Sequence, residues 1–246
     1  MIFDQFMLAT GLLTRLPVAA PETEETTVAE ASWAFPAVGA GIGMITAAAF
    51  FAASTVGLGA SPAALLAILV GVAVTGALHE DGLADTADGF GGGRDREQKL
   101  AIMRDSRHGT YAMLALIFSI GLRAGALVAI GSPIEAGLAL IAANAASRGV
   151  LPVIMRGLAP AREDGLGAAA GTPGPAPMLV AMAIGIFVAL GMLGPIRGAV
   201  ALVLAGIAVA ATAMLARRQI GGYTGDTLGA CQQIGEIVML LAAATR

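Results

Sequence analysis

The chain has 246 residues, of which 57% are hydrophobic and only 13% are charged, with a mean hydropathy of +0.82. Soluble globular domains carry roughly 25% charged residues, so this composition excludes an ordinary soluble domain and predicts an integral membrane protein. A formal net charge of −3 excludes a strongly basic protein that binds nucleic acid. The 34 glycines favour closely packed membrane helices over a β-barrel. We interpret residues 1–246 as one all-α membrane domain.

Seven stretches, taken in chain order, are long and apolar enough to span or nearly span a bilayer of about 30 Å. They cover residues 35–59, 62–79, 110–131, 134–155, 177–195, 198–216 and 228–245. Prolines stand at the ends of most of these stretches, where helices begin or stop. Residues 1–16 are apolar but short, which predicts an interfacial or re-entrant segment. The sequence therefore predicts a polytopic helical bundle of about seven transmembrane helices.

Long polar segments and tight turns alternate between these stretches. With seven spans, the polar segments 17–34, 80–109, 156–176 and 217–227 all lie on one side of the membrane. Of the 14 Lys and Arg residues, two (Arg123, Arg148) lie inside spans and two (Arg197, Arg246) on the opposite side, which leaves ten on this side. The positive-inside rule then predicts a multi-pass protein of the cytoplasmic (inner) membrane, with its active site facing the cytoplasm.

The most informative segment follows the second apolar stretch and places four carboxylates within nine residues: Glu80, Asp81, Asp85 and Asp88. On a helix, the three aspartates fall within about 60° of one another and share one face. Like charges on one face repel unless a cation bridges them, and carboxylate oxygens are ligands that Mg²⁺ prefers. The pattern predicts a Mg²⁺ site formed by the three aspartates, with Glu80 as a weaker fourth ligand. The alternative is a solvated helix end.

The residues after this run extend the polar segment. Four glycines within 89–93 are expected to end the helix, and either bring backbone N–H groups close to a phosphate or form a flexible loop. Residues 94–109 predict a short amphipathic helix at the membrane surface. Its arginines Arg94, Arg104 and Arg107 are candidates for binding substrate phosphates. Attraction to anionic lipid headgroups is the alternative for them.

A second group of polar residues lies nearer the C-terminus. Thr224 and Asp226 stand at the start of the last apolar stretch, where either one can cap a helix; the functional alternative makes Thr224 a substrate-binding residue and Asp226 a catalytic one. Glu236 lies about 12 Å deeper, as a functional carboxylate or the partner of a buried arginine. In the fourth stretch, Asn144 and Arg148 share one helix face and are predicted to line a substrate cavity.

Four motifs together carry a resemblance to a known family. They are Thr14-Arg15-Leu16-Pro17-Val18, the run from His79 to Gly89, the run from Met103 to Tyr111, and the run from Gly222 to Ala230. Over nearly its full length, the chain resembles the membrane-bound cobalamin synthases, or adenosylcobinamide-GDP ribazoletransferases. The resemblance implies that adenosylcobinamide phosphate passes from adenosylcobinamide-GDP to the 5′-hydroxyl of α-ribazole, or to α-ribazole 5′-phosphate as the alternative acceptor. GMP is released, and Mg²⁺ is the implied cofactor.

The resemblance also assigns roles to the candidate residues. It implies that Asp81, Asp85 and Asp88 hold Mg²⁺ at the pyrophosphate, and that Asp88 or Asp226 takes the proton of the attacking hydroxyl. The implied partners are the two substrates and the lipid bilayer, and a homo-oligomer or contacts with other late cobalamin-pathway enzymes are compatible with it. Two other classes stay open, a cation-coupled transporter and a non-catalytic membrane scaffold. The absence of visible internal repeats argues against the first.

Overall fold

The computed structural model describes residues 2–18 and 26–245. Residues 19–25 of the predicted polar segment 17–34, and Arg246, lie outside the described residues. The described chain forms helices throughout and contains no β-strand, which confirms the all-α class. The helices are α1 (Ile2–Leu13), α2 (Val28–Ala31), α3 (Phe35–Thr55), α4 (Ala60–Thr75), α5 (Leu78–Gly92), α6 (Arg96–Ile102), α7 (Thr110–Ile130), α8 (Pro133–Gly149), α9 (Leu151–Gly157), α10 (Leu166–Ala169), α11 (Pro175–Leu193), α12 (Pro195–Ile220) and α13 (Gly225–Ala243).

The helices confirm a polytopic membrane bundle but change the number of spans. Among the described residues, five helical segments are long and apolar enough to cross a membrane, and a sixth arises if α4 and α5 form one broken span. These five segments are Val28–Thr55, Thr110–Ile130, Pro133–Gly157, Pro175–Leu193 and Pro195–Ile220. The predicted seventh span, α13, is not among them, although it is 19 residues long. It carries polar side chains and packs against α5, α7, α8 and α12 in the bundle interior.

The second predicted span does not continue straight into the acidic run. Helix α4 ends at Thr75, α5 begins at Leu78, and the two axes differ by 92°. Gly76 and Ala77 both adopt left-handed backbone conformations, with φ of 62° and 59°. A side chain at Gly76 would collide with Arg15, whose backbone N–H donates to the Val74 carbonyl at 2.7 Å. The bend therefore directs the acidic helix away from the axis of α4.

The bundle separates a lipid-facing surface from a closely packed interior. Large apolar side chains on the outer helices remain exposed, among them Phe118 of α7, Phe187 of α11 and Ile207 of α12. In the interior, α3 lies close to α8, since a Cβ on Gly43 would stand 2.6 Å from the Ile141 Cα. Exposed apolar faces and close helix contacts at small residues are typical of a membrane bundle.

Candidate active site

The candidate site lies where α5 crosses the start of α13. At the crossing, a Cβ on Gly82 would stand 2.7 Å from the Asp226 carbonyl oxygen, and a Cβ on Gly229 would stand 3.3 Å from the His79 Cα. Because both helices carry glycine at this point, their backbones approach without intervening side chains. The crossing brings the first part of the acidic run next to Asp226, a residue far away in sequence.

Three carboxylates from the two helices, Asp81, Asp85 and Asp226, form what we call the carboxylate cluster. Burial, together with the negative charges of Asp81 and Asp226, raises the pKa of Asp85 to about 6. His108 opposes this shift with its Nδ1 atom 3.9 Å from an Asp85 oxygen. Burial also raises the pKa of Asp226, against the lowering effects of Arg162 and of a hydrogen bond from Thr224. The cluster therefore concentrates negative charge that its neighbours only partly balance.

Arg162 comes to the cluster from the loop between α9 and α10. Its Nη2 donates to Asp226 Oδ2 at 3.3 Å, and its Nη1 is enclosed without a hydrogen-bond partner in the described structure. Tyr223 fixes this loop because its backbone N–H donates to the Ala159 carbonyl at 3.0 Å. Gly222 permits the approach, since a Cβ there would collide with the same carbonyl oxygen. The loop thus places a guanidinium group beside the last carboxylate of the cluster.

A cleft of about 410 Å³ adjoins the cluster. Its charged lining residues are Asp81, Arg162 and Asp226, which are neighbours of one another, while most of the remaining wall is apolar. The apolar side chains come mainly from α1, α3, α9, α10 and α13: Leu12, Leu13, Phe35, Leu151, Met155, Leu166 and Leu228. The arrangement can hold a molecule with an apolar body and a polar or charged end.

Asp88 lies on α5, as Asp81 and Asp85 do, but its carboxylate binds the N-terminus of α7. One of its oxygens accepts the Ala112 backbone N–H at 2.9 Å, and the other accepts the Gly109 N–H. Both carboxylate oxygens therefore cap the N-terminus of α7, and the structure does not present them to the cleft. Within residues 2–18 and 26–245, no three His, Cys, Asp or Glu side chains form a ready metal-ion site.

Glu80 points into the bundle instead of joining the cluster. Its Oε1 accepts hydrogen bonds from Arg123 Nη2 and Gln233 Nε2, both at 3.1 Å. Arg123 also donates through Nη1 to Glu236 Oε1 at 3.3 Å. The expectation that Glu236 pairs with a buried arginine is confirmed. Glu80 occupies the same ionic network, and this position separates it from the ligand set predicted for Mg²⁺.

The predicted cavity residues Asn144 and Arg148 also lie in the interior. Arg148 Nη1 donates to Asn144 Oδ1 at 2.8 Å, and both residues are almost fully buried. They border a small internal space of about 20 Å³ together with His79, and they do not line the cleft. Their place in the fold does not match the substrate-binding role expected from the sequence, because helix packing encloses both side chains.

The three arginines predicted to bind phosphates differ in their surroundings. Arg104 makes two contacts to Asp164, at 2.5 and 2.7 Å, and so lies near the loop that carries Arg162. Arg107 is exposed and pairs with Asp105 at 2.6 Å, and its hydrogen bonds lower the pKa of Asp105 to about 2. Arg94 is also exposed and projects from the turn before α6. Only Arg104 is thus linked to the cleft.

Thr224 combines the two roles that the sequence left open. Its hydroxyl oxygen accepts the Thr227 backbone N–H at 3.2 Å and caps α13, and the same hydroxyl donates to Asp226 Oδ2 at 3.2 Å. The side chain is 1% exposed, so direct substrate contact does not follow from this structure. Thr224 instead fixes the orientation of the Asp226 carboxylate.

The glycines after Asp88 serve packing. Helix α5 ends at Gly92, within the glycines that were expected to end it. A Cβ on Gly91 would stand 2.6 Å from the Tyr111 ring, and one on Gly93 would stand 2.7 Å from the Lys99 nitrogen. These glycines therefore let α6 and α7 approach α5. The structure does not place them beside the cleft.

Sequence reasoning missed two functional candidates, Arg162 and His108. Arg162 is one of several basic residues in a long polar segment, and no spacing rule connects it with Asp226. His108 belongs to a motif that the sequence did highlight, next to Arg107. Its proximity to Asp85 depends on the return of the chain from α6 to α7, which local sequence patterns do not encode.

The helices and the site define a membrane-embedded helical bundle with a carboxylate cluster beside a mostly apolar cleft. The chain belongs to the Cobalamin-5-phosphate synthase (CobS) family, whose sequence profile matches residues 5–244. It is 50% identical over 244 residues to an adenosylcobinamide-GDP ribazoletransferase of Bradyrhizobium diazoefficiens, covering 99% of this chain and 94% of the relative. The corresponding protein of Mesorhizobium japonicum is 46% identical over 242 residues, covering 98% and 93%. No solved structure matches the chain.

Proposed function

We propose that this chain is an adenosylcobinamide-GDP ribazoletransferase, which joins the corrinoid to its nucleotide in the last assembly step of the cobalamin nucleotide loop. Family membership and relatives of that name support this reaction over the transporter and scaffold alternatives. The observation that carries it structurally is the carboxylate cluster, which stands with Arg162 at the wall of a cleft large enough for a small-molecule substrate.

The reaction is a displacement at phosphorus. A hydroxyl of the acceptor attacks the phosphorus that is bound to cobinamide, the bond from that phosphorus to the oxygen of GMP breaks, and GMP leaves. The family description names a cobalamin 5-phosphate as product, so an acceptor that carries a 5′-phosphate cannot react through its 5′ oxygen. We therefore propose another ribose hydroxyl as the nucleophile, in place of the 5′-hydroxyl expected from the sequence.

Asp226 is suited to accept the proton of that hydroxyl. Its Oδ2 already accepts hydrogen bonds from Arg162 and Thr224, which leaves Oδ1 for the substrate. Burial raises the pKa of Asp226 and makes it a better proton acceptor than an exposed carboxylate. Asp88 is the weaker candidate of the two named by the sequence, because backbone N–H groups occupy both of its oxygens.

The residues present fit a Mg²⁺ ion. Asp81 and Asp85 offer oxygen ligands from one helix face, and burial, followed by the negative charges of Asp81 and Asp226, raises the pKa of Asp85, so a cation at this point would be favoured. Mg²⁺ commonly uses one or two carboxylates and completes its shell with substrate phosphates and water, so a third protein ligand is not required. Bound there, the ion would supply positive charge to the phosphate oxygens of the leaving group.

The site is proposed to face the cytoplasm of a bacterial inner membrane. The cluster and the Arg162 loop lie in polar segments that are predicted to share one side of the membrane. That side holds ten of the 14 basic residues. The positive-inside rule supports this orientation. Labelling of a single introduced cysteine in the Arg162 loop, in right-side-out and inverted vesicles with Cys231 replaced, tests it. Labelling in right-side-out vesicles alone would contradict the proposed orientation.

The activity is tested with purified protein in nanodiscs, supplied with adenosylcobinamide-GDP and either α-ribazole or α-ribazole 5′-phosphate. We expect release of GMP that requires Mg²⁺ and stops on chelation. Asp81→Asn, Asp85→Asn and Asp226→Asn should each abolish turnover while the protein stays folded. Glu97→Gln, at an exposed carboxylate of α6, is the matched control and should keep normal turnover. No GMP release by the unaltered chain with any divalent cation would overturn the proposed function.

A further inference from the structure

We propose that the cleft binds the acceptor nucleotide, with its benzimidazole base against the apolar wall and its 5′-phosphate near Arg162. This inference rests on the proposed function and assigns one of its two substrates to a place. The donor, with its corrinoid and guanosine parts, would then approach the carboxylate cluster from outside the cleft.

The size of the cleft limits what can enter it. Its volume of about 410 Å³ falls at the small end of the range for ligand pockets, about 300–1,000 Å³. A nucleoside fits such a space, whereas a corrinoid ring with its amide side chains is several times larger. The choice therefore lies between the acceptor nucleoside and the guanosine of the donor.

The chemistry of the wall favours the acceptor. A guanine presents several hydrogen-bonding groups along its edge, and burying them without partners is unfavourable. Away from the charged residues, the cleft is lined by Leu13, Phe35, Leu151 and Met155, all of which are buried apolar side chains. A dimethylbenzimidazole base has an apolar edge with two methyl groups, so this wall can accept it without leaving polar groups unpaired.

Arg162 supplies the second observation. It lines the cleft, its Nη2 binds Asp226, and its enclosed Nη1 has no partner in the described residues. A buried donor without a partner is costly, and a guanidinium group binds phosphate well. A small turn of the side chain would offer Nη1 to a phosphate in the cleft while Asp226 stays within reach of the ribose. A nucleotide with its benzimidazole on the apolar wall would thus place its sugar beside Asp226, the proposed proton acceptor.

Two phosphates could satisfy Arg162, the 5′-phosphate of the acceptor and the pyrophosphate of the donor. The two acceptors separate these sources. If Arg162 binds the 5′-phosphate, Arg162→Gln raises KM for α-ribazole 5′-phosphate by about ten-fold or more but leaves KM for α-ribazole nearly unchanged. If the group instead binds the donor, the same variant raises KM for adenosylcobinamide-GDP with either acceptor. That second result would overturn the assignment of Arg162.

The base position is tested by a substitution that narrows the cleft. Leu166 lines it and is 64% exposed, so Leu166→Trp is tolerated by the fold but occupies part of the space. We expect KM for the acceptor to rise by about ten-fold or more, with KM for adenosylcobinamide-GDP within two-fold of normal. Leu179→Trp, at a 57% exposed leucine of α11 outside the cleft, should change neither constant.

Direct binding separates failure of this inference from failure of the proposed function. Calorimetry with α-ribazole 5′-phosphate and the unaltered protein, without donor, should give one site that Leu166→Trp weakens and Leu179→Trp does not. A matching ribotide with an adenine base should bind at least about ten-fold more weakly, because the wall offers its amino group no partner. Normal turnover of Leu166→Trp with a raised KM for the donor would overturn the placement of the acceptor in the cleft but not the proposed function. Absence of turnover in the unaltered chain would overturn the proposed function itself.

Discussion

The crossing of α5 and α13 allows a sharp test at Gly82. The substitution Gly82→Ala adds a Cβ that would stand 2.7 Å from the Asp226 carbonyl oxygen and 3.1 Å from the Asp226 Cα. Contacts between carbon and a carbonyl oxygen normally begin at about 3.3 Å, so the two helices must separate by about 0.6 Å. Both sides of the contact are backbone, and therefore no side chain can turn aside to make room.

The separation acts on catalysis because the cluster is divided between the two helices. Asp81 and Asp85 move with α5, while Asp226 moves with α13. A misplacement of about 1 Å in an active site can cost about 10²-fold in rate, so a shift of about 0.6 Å predicts a loss of at least about ten-fold in kcat. Helix propensity works in the opposite direction, since alanine stabilises a helix by about 1 kcal/mol over glycine.

The assay is the rate of GMP release at saturating substrates, together with the thermal unfolding temperature in the same detergent. Gly121→Ala in α7 is the matched control, because a Cβ at Gly121 meets no atom within 4 Å. We expect normal kcat for Gly121→Ala and a reduced kcat with a retained unfolding transition for Gly82→Ala. Equal and normal rates for both variants would refute the view that this crossing sets the spacing of the catalytic carboxylates.

Two further predictions concern charge. The folded-state pKa of Asp85 is raised from 3.8 to about 6, so its contribution to stability is present below pH 3.8 and is lost as pH rises through 6. Without divalent cations, the unfolding temperature should therefore fall between pH 4 and pH 7 more steeply than in Asp85→Asn; parallel curves would contradict this. Arg123→Met removes the cation that pairs directly with Glu80 and Glu236 and should cost about 3–5 kcal/mol of unfolding free energy, measured by denaturant titration. Arg107→Met, at an exposed pair, should leave stability unchanged, and equal effects of the two substitutions would contradict the buried network.

The lipid-facing helices could be predicted from the sequence, and α13 could not. Helices α7, α11 and α12 match predicted stretches to within a few residues at most ends, because exposure to lipid requires a locally apolar composition. Helix α13 looked similar by length but is surrounded by protein, where Gln232 binds Ser147 of α8 and Glu236 binds Arg123 of α7. Local hydropathy does not distinguish these two environments.

The bend between α4 and α5 had no readable signal either. Gly76 permits a left-handed conformation, but Ala77 adopts one as well, and alanine rarely does so. The conformation of Ala77 depends on tertiary packing. The backbone N–H of Arg15 donates to the Val74 carbonyl, and the side chain of Arg15 fills the space over Gly76. The sequence singled out the motif around Arg15 only by family resemblance. The structure gives it a role, which is to hold the C-terminal end of α4 at the bend.

Adjacent residues of the acidic run have different surroundings because they lie on different faces of α5. Glu80 and Asp81 differ by about 100° around α5, so one enters the bundle and the other faces the cleft. Inside, the carboxylates of Glu80 and Glu236 are balanced by the nearby charges of Arg123 and Arg148, and a metal ion is not needed there. In the carboxylate cluster, Arg162 pairs with Asp226 and His108 lies near Asp85, so the three carboxylates are only partly balanced. The excess of negative charge therefore lies on the other side of α5 from Glu80, and that is where a divalent cation would stabilise the folded protein.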